Sequence, residues 1–212
     1  MGRARRGDRP RARGTLPGRV RALVAIAALA VLAGAAGAGR AGGESRAARS
    51  AFHVGDSLAA GTSGYLAAEL PGWRLRQQAR VGLQSAAVPP LVRRLGPALP
   101  RVLVVSAGTN GSPGAVAAFT AVVRDVLRLA GRGRCVVWAN VVRPPAGGVG
   151  YGRLNRALAA LDRRHRTLRV LDWAALVRAH PGWLRPDGVH ARPAGYRGRA
   201  RALAALVRRC PD

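Results

Sequence analysis

From Ala51 to the C-terminus, short apolar runs of a strand's length alternate five times with longer segments of helical spacing. The runs are AFHVG at 51–55, WRLRQQA at 73–79, RVLVVSA at 101–107, RCVVWANVV at 134–142 and LRVLD at 168–172. Several are apolar throughout, as expected of parallel strands covered on both faces, which have no solvent side to alternate with. The second is weaker and belongs at an edge. Helical segments are expected near 57–70, 85–95, 113–130, 151–164 and 193–209; Leu154, Leu158 and Leu161, then Leu203, Leu206 and Val207, recur at three- and four-residue spacing. Strict alternation implies crossover connections, and hence a three-layer α/β/α sandwich around a five-stranded parallel sheet, flavodoxin-like in plan. A chain of 212 residues suits one such domain and is too short for two.

The first 50 residues read differently. A basic leader up to Arg21 precedes the 12-residue apolar run ALVAIAALAVLA, and small residues follow with an A-x-A site at Ala36, Gly37 and Ala38. Residues 1–38 are therefore expected to be an export signal or an N-terminal membrane anchor, with a linker at 39–50 and the domain proper at 51–212. A start codon misassigned upstream of a cytosolic protein is the remaining reading. Export, to the cell envelope or beyond it, would suit the two cysteines. Cys135 opens a strand and Cys210 closes the last helix, so both fall at the same edge of the sheet; they either pair or remain two buried thiols.

The formal charge of +27 comes from 36 arginines and no lysine. Beside heavy Ala, Gly, Pro and Val usage, this looks like coding bias. The charge is spread along the chain, with 11 Arg and 2 acids in residues 1–50 and 25 Arg and 7 acids after them. Without a basic cassette or an aromatic-interleaved run, no specific nucleic-acid partner is expected, whereas adhesion to an anionic wall polymer or a lipid surface is.

In a parallel sheet every strand delivers its next loop to one rim, and four loops there carry notable residues. Ser57 follows the first strand, RVGLQS with Gly82 the second, and GTNG with Asn110 the third; RPDGVHARPAGY near the C-terminus brings Asp187 and His190. A serine hydroxyl is a poor nucleophile without a base in reach, and His190 is the candidate base. Asp187, three residues earlier, is placed to fix the imidazole tautomer. The alternatives are structural: Ser57 as a helix N-cap, Gly82 as a turn residue and Asn110 as an Asx-type loop position. Asp56 is expected to bond nearby backbone N–H groups, and Asp172 to cap the short helix WAALVRA. His53, His165 and His180 are background, and no metal-ligand spacing occurs, so no metal or cofactor is expected.

These four blocks, in this order and spacing, resemble the SGNH or GDSL hydrolase superfamily over nearly all of the chain from Ala51. The resemblance implies an acyl-serine mechanism with Ser57, His190 and Asp187 as catalytic residues. It also assigns an oxyanion hole to the N–H groups of Ser57 and Gly82 and the amide of Asn110. More narrowly, ARVGLQS, VVSAGTNGS, VWANVVRPP with Asn155, and VLDWAAL with DGVHARPAGY are similar to the extracytoplasmic domain of bacterial peptidoglycan O-acetyltransferases. That implies an acetylated envelope glycan or another small ester as substrate, and a separate membrane acyltransferase as donor. Asn140, Arg143, Asn155 and Trp183 are candidates for the substrate rim, and Trp73, Trp138 and Trp173 for the core. A general lipase or esterase and a non-catalytic envelope-binding protein are the other readings, and a monomer is expected.

Overall fold

The computed structural model describes residues 49–211, so the expected export segment and most of the linker lie outside the described residues. Five strands, β1 (Ser50–Gly55), β2 (Arg74–Ala79), β3 (Val102–Ser106), β4 (Cys135–Ala139) and β5 (Leu168–Leu171), form one all-parallel sheet in the order β2-β1-β3-β4-β5. The helices are α1 (Ser57–Glu69), α2 (Val88–Leu95), α3 (Val116–Ala130), α4 (Gly152–Arg164), α5 (Trp173–Ala179) and α6 (Pro193–Arg208). Phe52, Val54, Leu103, Val105, Val136 and Trp138 point from the sheet toward α2, α3 and α4. Their neighbours Ala51, Val102, Val104, Val137 and Ala139 point toward α1, α5 and α6. The result is the expected three-layer α/β/α sandwich, with residues alternating between two buried faces as the period of two requires.

The burial of each strand follows its letters. β3 and β4 are buried at every position, while β2, with its arginines and glutamines, is the largely exposed edge. The fourth strand ends at Ala139, three residues short of the expected Val142. Beyond it, β5 has ended, and the side-chain amide of Asn155 takes over the backbone of Val141, accepting from its N–H at 2.9 Å and donating to its carbonyl at 2.8 Å. The second helical segment divides into a 3₁₀ turn over Ser85–Ala87 and α2, and the third begins at Val116 instead of 113.

At the start of the strands, Cys135 and Cys210 are joined in a disulfide with their Cα atoms 5.8 Å apart. It ties the first residue of β4 to the C-terminal end of α6. The opposite, carboxyl edge has its topological switch between β1 and β3, where the chain first turns one way to β2 and then the other way to β3. Open α/β sheets leave a crevice at that point.

Candidate active site

Ser57 stands at the switch point as the first residue of α1. The chain reaches it through Gly55, where a Cβ would run into the Ser106 carbonyl on the neighbouring strand. Asp56 is the N-cap: its Oδ1 accepts from Leu58 N–H at 2.9 Å. The cap is thus filled by the residue before Ser57, and the serine hydroxyl is available for other partners. His190 Nε2 lies 2.9 Å from Ser57 Oγ, and His190 Nδ1 lies 2.8 Å from Asp187 Oδ2. The other Asp187 oxygen accepts from the N–H groups of Val189 and His190, both at 2.9 Å. A carboxylate held by an imidazole and two backbone donors favours its charged form. The His190 side chain and these N–H groups accordingly hold Asp187 down at about 2, against an ordinary 3.8. The pair is open to solvent, the His190 and Asp187 side chains being 39% and 46% exposed.

The three groups expected to form the oxyanion hole belong to three separate segments of the carboxyl edge. Ser57 N–H, at the first helical position, has no carbonyl four residues back to bond. Gly82 occupies a turn closed by Leu83 N–H donating to the Arg80 carbonyl at 3.0 Å, with φ of +76°, which a side chain would disfavour. Asn110 reaches across from the β3 loop and donates one amide hydrogen to the Leu83 carbonyl at 3.2 Å, keeping its second for another acceptor. The β3 loop is itself fastened by Arg143, which donates to the Thr109 carbonyl at 2.7 Å, and by the Tyr151 hydroxyl, which donates to the Gly111 carbonyl at 3.0 Å.

Three of the four candidates for the substrate rim, Asn140, Asn155 and Trp183, make their contacts inside the fold. The Asn140 amide donates to Asp172 Oδ1 at 2.8 Å and accepts from Ala174 N–H at 2.9 Å. It is buried and locks the end of β4 onto the N-terminus of α5, which Asp172 caps through Ala175 N–H. Asn155 spends both amide ends on Val141. Trp183 is half-buried and stacks between His180, at 4.1 Å between ring centroids, and Trp173, at 6.0 Å, against the backbone of α6. Arg143 alone of the four is exposed at the rim, and it already holds the β3 loop.

A polar layer beneath Ser57 escaped the sequence reading. Arg199, on α6, is 1% exposed; it donates to Ser106 Oγ at 3.0 Å and lies 4.9 Å over the Trp173 ring. Burial lowers its pKa to about 10, opposed by the charge of Asp56. His53, on β1, is fully buried with neither ring nitrogen hydrogen-bonded to a described residue. Burial first, and then the Arg199 charge, hold its pKa down at about 3, so the ring is neutral. Burial pushes the Asp56 carboxyl up, against the pull of Leu58 N–H and Arg199. One arginine among 36 carries no distinguishing mark in the sequence; only its place on the buried stripe of α6, four residues before Leu203, could have singled it out.

A doubly wound parallel sheet with a serine, a histidine and a carboxylate in hydrogen-bond sequence at its switch point defines a class of α/β protein built like the serine hydrolases. More narrowly, the architecture is the SGNH or GDSL hydrolase fold, as comparison with solved structures shows. The C-terminal catalytic domain of Streptococcus pneumoniae peptidoglycan O-acetyltransferase A, determined with a methylsulfonyl adduct, superposes with a TM-score of 0.60 at 18% identity, covering 77% of this chain and 92% of that one. A member of the lipolytic G-D-S-L family from Veillonella parvula gives 0.60 at 17%, covering 75% and 97%. The psychrotrophic esterase EstA from Pseudoalteromonas, inhibited by monoethylphosphonate, gives 0.58 at 13%, covering 76% and 97%. No protein-family model matches the sequence, and no curated protein matches it closely enough to count.

Proposed function

We propose that the protein is an exported serine esterase or O-acyltransferase that acts on a small acyl group, acetyl, carried by a cell-envelope glycan. The observation that carries this reading is the continuous hydrogen-bond relay from Ser57 Oγ through His190 to Asp187. In the first half-reaction Ser57 Oγ attacks the ester carbonyl carbon while His190 Nε2 takes its proton, and Asp187 stabilises the imidazolium. The carbonyl oxygen becomes an oxyanion, for which the donors are Ser57 N–H, Gly82 N–H and the second hydrogen of the Asn110 amide. Collapse breaks the bond to the alcohol, which leaves with the proton from His190, and an acyl-serine remains. In the second half, water or a sugar hydroxyl gives its proton to His190 and attacks the acyl carbon, releasing acid or a new ester and restoring Ser57.

The glycan assignment draws on the sequence likeness to the peptidoglycan O-acetyltransferase domain and on the fold shared with the Streptococcus pneumoniae domain. Export draws on the apolar run at 22–33 and on the disulfide, a bond that persists in oxidising compartments. The test is release of p-nitrophenol from p-nitrophenyl acetate by wild type, Ser57→Ala and His190→Ala, with and without a chitooligosaccharide acceptor. Turnover should vanish in both variants, and acetylated sugar among the products identifies the transferase. Activity that survives in Ser57→Ala would refute the serine mechanism.

A further inference from the structure

Arginine that is dispersed along the chain is gathered by the fold at the edge where the strands begin. Arg101 precedes β3, Arg132 and Arg134 precede β4, and Arg166 precedes β5; the four line one cavity of about 150 Å³ beside the disulfide. A second cavity of about 340 Å³ shares Arg132 and Thr167 with the first and adds Arg124, Arg128 and His165. Arg128 is paired with Asp125, and Arg134 is tied to the carbonyls of Leu99 and Ala130. Arg101, Arg124, Arg132 and Arg166 are exposed, and none has a carboxylate partner among the described residues. Cations in the last turn of a helix, such as Arg128 or Arg163 and Arg164 of α4, complement the helix dipole and need no other role. Arg132 and Arg166 follow the last residues of α3 and α4 by two positions and share that account in part, whereas Arg101 lies outside every helix and Arg124 lies inside α3, ahead of its last turn.

Two further observations say what such an edge meets. The described chain enters at this edge, since Ser50 opens β1, and the 12-residue apolar run at 22–33 lies upstream of that entry in the sequence. Among the described residues the exposed large apolar side chains, Val81 and Val149, belong instead to loops that follow the carboxyl ends of β2 and β4. A surface of adjacent guanidinium-lined hollows without apolar projections suits an array of phosphate headgroups, each taken by planar forks, with no insertion into the acyl layer.

We propose that this arginine-lined edge is a docking surface for an anionic phospholipid membrane, so that the Ser57 crevice at the opposite edge is turned away from the bilayer. The surface is independent of whether the crevice is an esterase. Binding of this kind is screened within about a Debye length, roughly 10 Å at 0.1 M salt, and so is released by high salt.

The test is co-sedimentation of the full chain with vesicles of phosphatidylcholine alone and of an equimolar mixture with phosphatidylglycerol, the apolar run being common to every protein compared. One variant combines Arg101→Gln, Arg124→Gln, Arg132→Gln and Arg166→Gln. A charge-matched control combines Arg76→Gln, Arg153→Gln, Arg156→Gln and Arg197→Gln, all exposed and away from that edge. The increment in binding due to phosphatidylglycerol should fall at least about tenfold in the first and far less in the control. Both should keep the wild-type thermal transition, and the double variant Arg132→Gln with Arg166→Gln, a milder change, should move the same way. Equal loss in both fourfold variants would reduce the effect to net charge and overturn the proposal. So would a wild type without any phosphatidylglycerol increment, including one retained by soluble poly(glycerol phosphate) alone.

Discussion

Replacing His53 with leucine should remove about 2.5 kcal/mol of the stability that the protein loses between pH 7 and about pH 4.5. The ring is fully buried, and burial with the Arg199 charge lowers its pKa from 6.5 to about 3. In the unfolded chain the same histidine titrates near its ordinary value, so between the two pKa values the unfolded state binds a proton that the folded state refuses. Stability is therefore fully present above about 6.5 and drains as pH falls toward 3, at about 1.4 kcal/mol per pH unit. From pH 7 to 4.5 the loss attributable to His53 is about 2.5 kcal/mol, a large part of the margin of an ordinary domain. Asp187, held at about 2, loses its contribution only as pH falls from 3.8, below this window, and Asp56, pushed up by burial, titrates in both proteins alike. Urea unfolding followed by tryptophan fluorescence at a series of pH values gives the two stability curves by linear extrapolation. The wild-type curve should fall by about 2.5 kcal/mol more than that of His53→Leu. Parallel curves would mean that His53 is protonated in the folded state or reaches solvent, and the buried neutral ring would be refuted.

Three further outcomes follow from the site and the sheet edge. Asp187→Asn keeps the shape of the carboxylate but offers His190 a donor or the wrong tautomer, so acetyl-ester turnover should fall by about 10³–10⁴ in kcat while the fold, read by its thermal transition, stays intact. Asn110→Ala removes a proposed oxyanion donor and should lower kcat by about 10²–10³ with little change in KM, as steady-state kinetics would show. The Cys135–Cys210 bond spans 75 positions, and in the chain-entropy model the double replacement by serine should cost about 4.5 kcal/mol in urea unfolding.

The sheet could be read before folding because its information is local. The all-apolar runs of β3 and β4 demand two covered faces, and the polar β2 can only be an edge. The positions at the strand exits were legible for the same reason: a parallel sheet sends Ser57, Gly82, Asn110 and His190 to one rim wherever the helices lie. Residues whose roles depend on long-range contact were not. Asn140 and Asn155 carry the letters of a polar rim, yet Asn140 ties the end of β4 to Asp172 and the first turn of α5, and Asn155 closes the backbone of Val141 where β4 runs out of partners. Arg199 belongs to the core because α6 turns it toward Ser106 and Trp173, which neither its neighbours nor its own chemistry announce. Charge behaved likewise: loops far apart in sequence meet at one edge only after the sheet has formed.

The most direct test of the account is covalent capture. A sulfonyl fluoride or an alkyl phosphonate offered to the folded protein should modify Ser57 alone, located by peptide mass mapping, and the rate of labelling should collapse in His190→Ala. Labelling spread over other serines at an equal rate, or a rate indifferent to His190, would mean that the relay from Ser57 to Asp187 activates nothing.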